Sequence, residues 1–207
     1  MKRGAYECIR VAAIALVMGH AAVATELTVS AKATTGEPAL DTVIVLDPLE
    51  GGIAPHPETA AIDQIRKQFV PTVTVIQAGT AVTFPNSDQI RHQVYSLSPA
   101  KPFSLKLYAG APNTPVLFDK AGLVVLGCNI HDKMFAFVAV VDSPYFAKVS
   151  AAGAATLNVP PGHYALRFWH PQLLAPVAAQ PVDVGTSAMV LPLVLDLRGH
   201  DPLAAWH

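Results

Sequence analysis

Short stretches of alternating apolar and polar residues run along most of the chain, separated by turn residues. LTVSA (27–31), TVIVL (42–46), TVTVI (72–76), AVTF (81–84), HQVYSLS (92–98) and PVLF (115–118) read as strands. In FSLKLY (103–108), Phe103, Leu105 and Leu107 are expected on one face, with Ser104, Lys106 and Tyr108 on the other. GLVVLGC (122–128) and FAFVAVV (135–141) are continuously apolar, which predicts central strands buried on both faces. Residues 47–61 carry Pro48, Gly51, Gly52, Pro55 and Pro57 and read as loop. TAAIDQIRKQF (59–69) fits a short helix or an irregular strand. After Pro144, ATLNVPPGHYALRFWHP (155–171) reads as strand, Pro160-Pro161-Gly162 turn and strand, and MVLPLVLDL (189–197) as a last strand. A loose tail is expected from Arg198. Strands about 8–12 residues apart with turns between them predict an all-β antiparallel sandwich. Residues 144–207 are expected to form a second, small β-module.

The first 24 residues stand apart. Lys2, Arg3 and Arg10 precede the apolar run VAAIALVMGHAAVA, which ends in Ala22-Val23-Ala24. A positive start, a short apolar core and an A-x-A end predict a secretory signal peptide over 1–24. The main domain then covers 25–143. No later apolar run is long enough to span a bilayer, so no membrane span is expected after cleavage. Cleavage also removes Cys8, leaving Cys128 as the one thiol in an oxidising compartment.

Composition narrows the function classes. At 52% hydrophobic and 14% charged residues, the chain is no disordered segment. A formal net charge of -1 provides no basic field for nucleic acid.

The chemistry concentrates in Cys128-Asn129-Ile130-His131-Asp132-Lys133-Met134. The spacing C-x2-H-x2-M offers a thiolate, an imidazole and a thioether on one tight loop between two strands. Two histidines and a cysteine in a plane, with a weak axial methionine, make a blue-copper electron-transfer site. A second histidine is therefore required, and His92, in the loop-to-strand segment FPNSDQIRHQV (84–94), is the candidate. Taken singly, Cys128 reads as a buried core thiol, Met134 as core filler and His131 as a surface residue. Together, and in this order, they read as a metal site. His163 and His170 read as turn or surface residues, His56 as loop, and His200 and His207 as tail.

With those residues in view, the chain resembles the cupredoxins. FVPTVTVIQAGTAVTFPNSDQIRHQV is similar to their first half and GLVVLGCNIHDKMFAFVAVV to their closing strands and ligand loop. The short ligand loop resembles that of the amicyanin-like members. FPNSDQIRHQVYS, LGCNIHDKM and VVDSPYF resemble secreted bacterial proteins labelled as methylamine utilisation proteins. The likeness spans roughly residues 65–146. It implies a cupredoxin-like Greek-key β-sandwich, with His92, Cys128 and His131 as equatorial copper ligands and Met134 as the axial one. Gln93 stands where the family commonly has Asn, Val124 where an aromatic is common, and Lys133 where a small or apolar residue is common. LNVPPGHYALRFWHP is similar to carboxypeptidase-regulatory-like, transthyretin-like modules. LTVSAKATTGEPALDTVIVL (27–46) also resembles the opening strands of such a module, so an inserted arrangement stands beside the linear one.

The resemblance implies one type 1 copper ion and a one-electron carrier in the periplasm. It would serve a redox partner such as a cytochrome c or a quinoprotein dehydrogenase, with no nucleic-acid partner and as a monomer. His131 is the expected electron port, beside an apolar rim of Phe135, Pro99 and Pro102. The alternative is a periplasmic copper chaperone using the same ligands. An enzyme is not expected, because the H-x-H pairs that further coppers would need are missing.

Overall fold

The computed structural model describes residues 24–51, 56, 58–110 and 114–199. The expected signal segment and the tail from His200 lie outside the described residues, apart from Ala24. The chain begins with β1 (Thr25–Ala33), β2 (Val43–Pro48), β3 (Thr59–Ala61), β4 (Asp63–Ile65), β5 (Gln68–Val70), β6 (Val73–Gln77) and β7 (Thr80–Thr83). It continues with β8 (Tyr95–Ser96), β9 (Phe103–Ser104), β10 (Val116–Phe118), β11 (Gly122–Gly127) and β12 (Phe135–Val141). It closes with β13 (Phe146–Lys148), β14 (Ala154–Val159), β15 (Gly162–Trp169), β16 (Gln180–Val184) and β17 (Met189–Leu195). The class is all-β, and the described residues contain no helix.

The site-bearing part is a sheet ordered β6-β12-β11-β8-β9, facing a smaller sheet ordered β10-β7-β3. As the apolar runs predict, β12 is central and buried on both faces. Its alternation divides it between two cores. Ala136, Val138 and Val140 join Val124, Leu126, Val82, Phe84 and Phe118 in one. Phe137, Ala139 and Val141 join Leu123 and Val73 in the other.

That second core is shared with the remaining strands, which form sheets ordered β14-β1-β17 and β13-β2-β15-β16. Strand β1 pairs with β14 and β17, and β2 pairs with β13 and β15. Residues 25–48 thus complete sheets with 146–195, which differs from the linear partition at 143/144. Buried Leu27, Val29, Ala31 and Val43–Leu46 meet Leu157, Leu166, Trp169, Leu193 and Leu195 across the shared core. Lys148 bridges the two parts, donating to the Val73 carbonyl at 2.9 Å and pairing with Asp41 at 2.8 Å.

Two segments depart from expectation. Residues 59–70 form three short strands, not a helix, because a turn at Arg66–Lys67 folds β5 back on β4. Only Phe103–Ser104 of the 103–108 segment is a strand. Leu107 is 48% exposed while Tyr108 turns partly inward. The Tyr108 phenol donates to the Phe84 carbonyl at 2.6 Å and accepts from Gln64 Nε2 at 2.5 Å, and this anchoring overrides the alternation.

Candidate metal centre

The ligand loop closes on itself between β11 and β12. The Met134 carbonyl accepts from Cys128 N–H at 3.2 Å, the Cys128 carbonyl from His131 N–H at 3.3 Å, and the His131 carbonyl from Met134 N–H at 2.9 Å. Three backbone bonds within seven residues tie the loop into one turn. Cys128 and Met134 turn inward, 5% and 2% exposed, and belong to the apolar core. His131 is half-buried, and Ile130, Asp132 and Lys133 face solvent.

His92 comes from the other side of the fold. It forms an antiparallel bridge with Tyr108, each backbone N–H donating to the other's carbonyl at 3.0 Å. Asn86 holds the preceding loop. Its Nδ2 donates to the carbonyls of Ile90 at 2.9 Å and Tyr108 at 3.0 Å, and its Oδ1 accepts from Asp88 N–H at 3.1 Å. The His92 ring is fully buried.

Although 36 residues separate them, His92 Nδ1 lies 3.8 Å from Cys128 Sγ. His131 Nδ1 lies 3.7 Å from the same sulfur. The three donor atoms fall within 4.8 Å of one another, the one such metal-competent group among the described residues. The two imidazoles are tilted by 56° with centroids 5.0 Å apart. Bonds of about 2.0 Å to nitrogen and 2.3 Å to sulfur, about 120° apart, put the nitrogen roughly 3.7 Å from the sulfur. The two nitrogen–sulfur separations fit such an ion. A soft thiolate beside two imidazoles is the donor set that copper favours.

The outer nitrogen of His92 is engaged too. Nε2 lies 2.8 Å from Asp88 Oδ2. Burial raises the Asp88 carboxyl. Hydrogen bonds from Lys67 N–H, His92 and Arg66 N–H outweigh that and hold it below the usual carboxylate range. Burial pushes the Tyr108 phenol up to about 12, so it remains a neutral donor.

No protein-family model matches the chain, and no curated protein matches it. Among solved structures it is similar to a purple cupredoxin from Nitrosopumilus maritimus, at 22% identity over 39% of this chain and 98% of that one, with a TM-score of 0.35. It is also similar to an amicyanin in its reduced state, at 20% identity over 40% of this chain and 81% of that one, with a TM-score of 0.34. A copper-containing nitrite reductase from Thermus scotoductus matches at 25% identity over 54% of this chain and 28% of that one, with a TM-score of 0.37.

Among the described residues, the other histidines do not join this group. His163 lies exposed on β15 and pairs with Asp183 at 2.6 Å; that bond raises its pKa. His170, expected at the surface, is instead buried. Its Nε2 meets the Leu40 carbonyl at 3.0 Å, and its Nδ1 accepts from Gln172 N–H at 3.0 Å. Lys101 pairs with Asp119 at 2.9 Å, and Lys106, Lys120 and Lys133 are exposed. Gln93 donates to Ser104 Oγ at 2.9 Å, so it ties β9 to the His92 segment and not to the ligand loop. Asp88 is the site residue that sequence reasoning missed. Its spacing four before His92 was visible, but its contact depends on the hairpin at 63–70, which the sequence did not define.

Proposed function

We propose that this chain is a type 1 copper protein of the cupredoxin kind, acting in the periplasm as a one-electron carrier. The observation that supports it is the convergence of His92 Nδ1 and His131 Nδ1 on Cys128 Sγ, at 3.8 and 3.7 Å. His92, Cys128 and His131 would hold the ion, with Met134, buried on the same loop, as a further, weak donor. Bound there, copper would supply one-electron chemistry between its Cu(I) and Cu(II) states. The residues do the rest. Loop bonds at 128–134 and the Tyr108 bridge keep the donors in one arrangement, so little rearrangement opposes a change of charge. Burial of Cys128 and His92 keeps water from the sulfur. His131, half-buried, gives the centre an edge near solvent, next to Phe135, which is 49% exposed. A weak, small contact suits a transient redox partner such as a cytochrome c or a quinoprotein dehydrogenase. In this reading the cupredoxin-like unit is inserted between β2 and β13 of the other module.

The test is copper loading of protein secreted without a histidine tag. The expected result is one copper per chain and an intense visible thiolate-to-copper absorption that Cys128→Ser abolishes. Loaded protein without that absorption would sink the assignment. Copper transfer to acceptors without rapid redox exchange would identify a copper chaperone instead.

A further inference from the structure

The turn between β4 and β5 holds Arg66 at φ 54 and Lys67 at φ 61, two consecutive non-glycine residues in left-handed backbone. Hairpin turns of this kind favour Asn-Gly, because side chains crowd the backbone there. Neither Arg66 nor Lys67 offsets this by packing, since both are exposed. What the conformation achieves is an aim. Arg66 N–H donates to Asp88 Oδ1 at 2.6 Å and Lys67 N–H to Asp88 Oδ2 at 2.8 Å. Successive backbone N–H groups pointing at one carboxylate form an anion nest. The hairpin is also tied to this loop through Asp63, whose Oδ2 accepts from Ser87 Oγ at 2.7 Å. The same Asp88 Oδ2 meets His92 Nε2 at 2.8 Å.

We infer that the Arg66–Lys67 turn and Asp88 form a positioning relay that fixes the tautomer and ring orientation of His92, presenting a bare Nδ1 to the space beside Cys128. Asp88 touches no ligand position itself and acts through His92. The consequence for metal affinity rests on the copper reading above, whereas the tautomer does not. A carboxylate in this role typically changes metal affinity about 10–100-fold when removed.

Nitrogen NMR of the metal-free wild-type protein, at a pH above the ordinary imidazole range, tests the first part. A proton on His92 Nε2 is expected; a proton on Nδ1 overturns the relay. In Asp88→Ala, His92 is expected to populate both tautomers, and copper(I) affinity, read against a competing chelator, to fall about 10–100-fold. A folded Asp88→Ala protein with wild-type tautomer and wild-type affinity overturns it as well. Should the wild type bind no copper at all, the functional reading fails, and the tautomer measurement still decides the relay.

Discussion

The Trp169 indole meets the ring of Phe137 edge-on, with centroids 5.6 Å apart. Phe137 meets Phe135 in turn at 5.7 Å. Trp169 belongs to β15 and the two phenylalanines to β12, the strand that leaves the ligand loop. The two sets of sheets therefore share a core on the face of β12 opposite the one that packs with Cys128 and Met134.

Truncating that contact should be felt by the whole chain. Trp169→Ala and Phe137→Ala are each expected to lower stability by about 3–5 kcal/mol, the usual loss for a buried aromatic. Denaturant unfolding followed by tryptophan-independent far-ultraviolet signal measures it. A change within about 0.5 kcal/mol, the scale of a surface substitution, would contradict a shared core.

Cys128 is a free, buried thiol. In metal-free protein it is expected to react slowly with an alkylating reagent, at a rate set by local opening. Copper should suppress that reaction further, because the thiolate is then a ligand. Mass spectrometry with and without copper reads both rates. Equal rates would separate the thiol from the metal.

His170 makes stability depend on pH. Burial lowers its pKa, against opposing effects of the Leu40 carbonyl and Asp41. Its Nδ1 already accepts a bond from Gln172 N–H, so protonation would break that bond. Between its folded pKa and the ordinary value near ~6.5, the unfolded chain binds more protons. Its stabilising effect is thus complete above that ordinary value and is lost as pH falls toward the folded one. Chemical denaturation from neutral to acid pH should show this loss, and His170→Gln should flatten it.

Gly122 cannot take a side chain. Its φ is 148, and an added Cβ would lie 2.7 Å from the Ala100 Cβ. Ala100 has no flexible end to move aside, so Gly122→Ala should lose about 1–3 kcal/mol, as overpacked sites do. Thermal unfolding is the measurement, and an unchanged midpoint would refute it.

Legibility in the sequence varied with range. The doubly buried character of β12 was readable from FAFVAVV, because a strand covered on both faces needs apolar side chains at every position. The proximity of Cys128, His131 and Met134 was readable because they share one loop, where spacing limits distance. His92 was inferred from chemistry, since a second imidazole was required, and the fold places it 3.8 Å from the sulfur. The hairpin at 63–70 was not readable: Arg66-Lys67 carries no turn signal, and its backbone is held by Asp88, 22 and 21 residues away. His170 was misplaced for a similar reason, since its partner Leu40 is 130 residues distant.

The sequence by itself determined where strands can form and which side chains gather on the ligand loop. Both depend on side-chain direction and short-range spacing, which repeat every two residues along a strand. Only the tertiary structure decided that β1 and β2 close sheets with β13–β17, that Trp169 packs on Phe137 of β12, and that the Arg66–Lys67 turn grips the carboxylate behind His92. Those outcomes depend on hydrogen bonds between distant segments, and strands of similar apolar pattern offer many pairings that periodicity cannot distinguish.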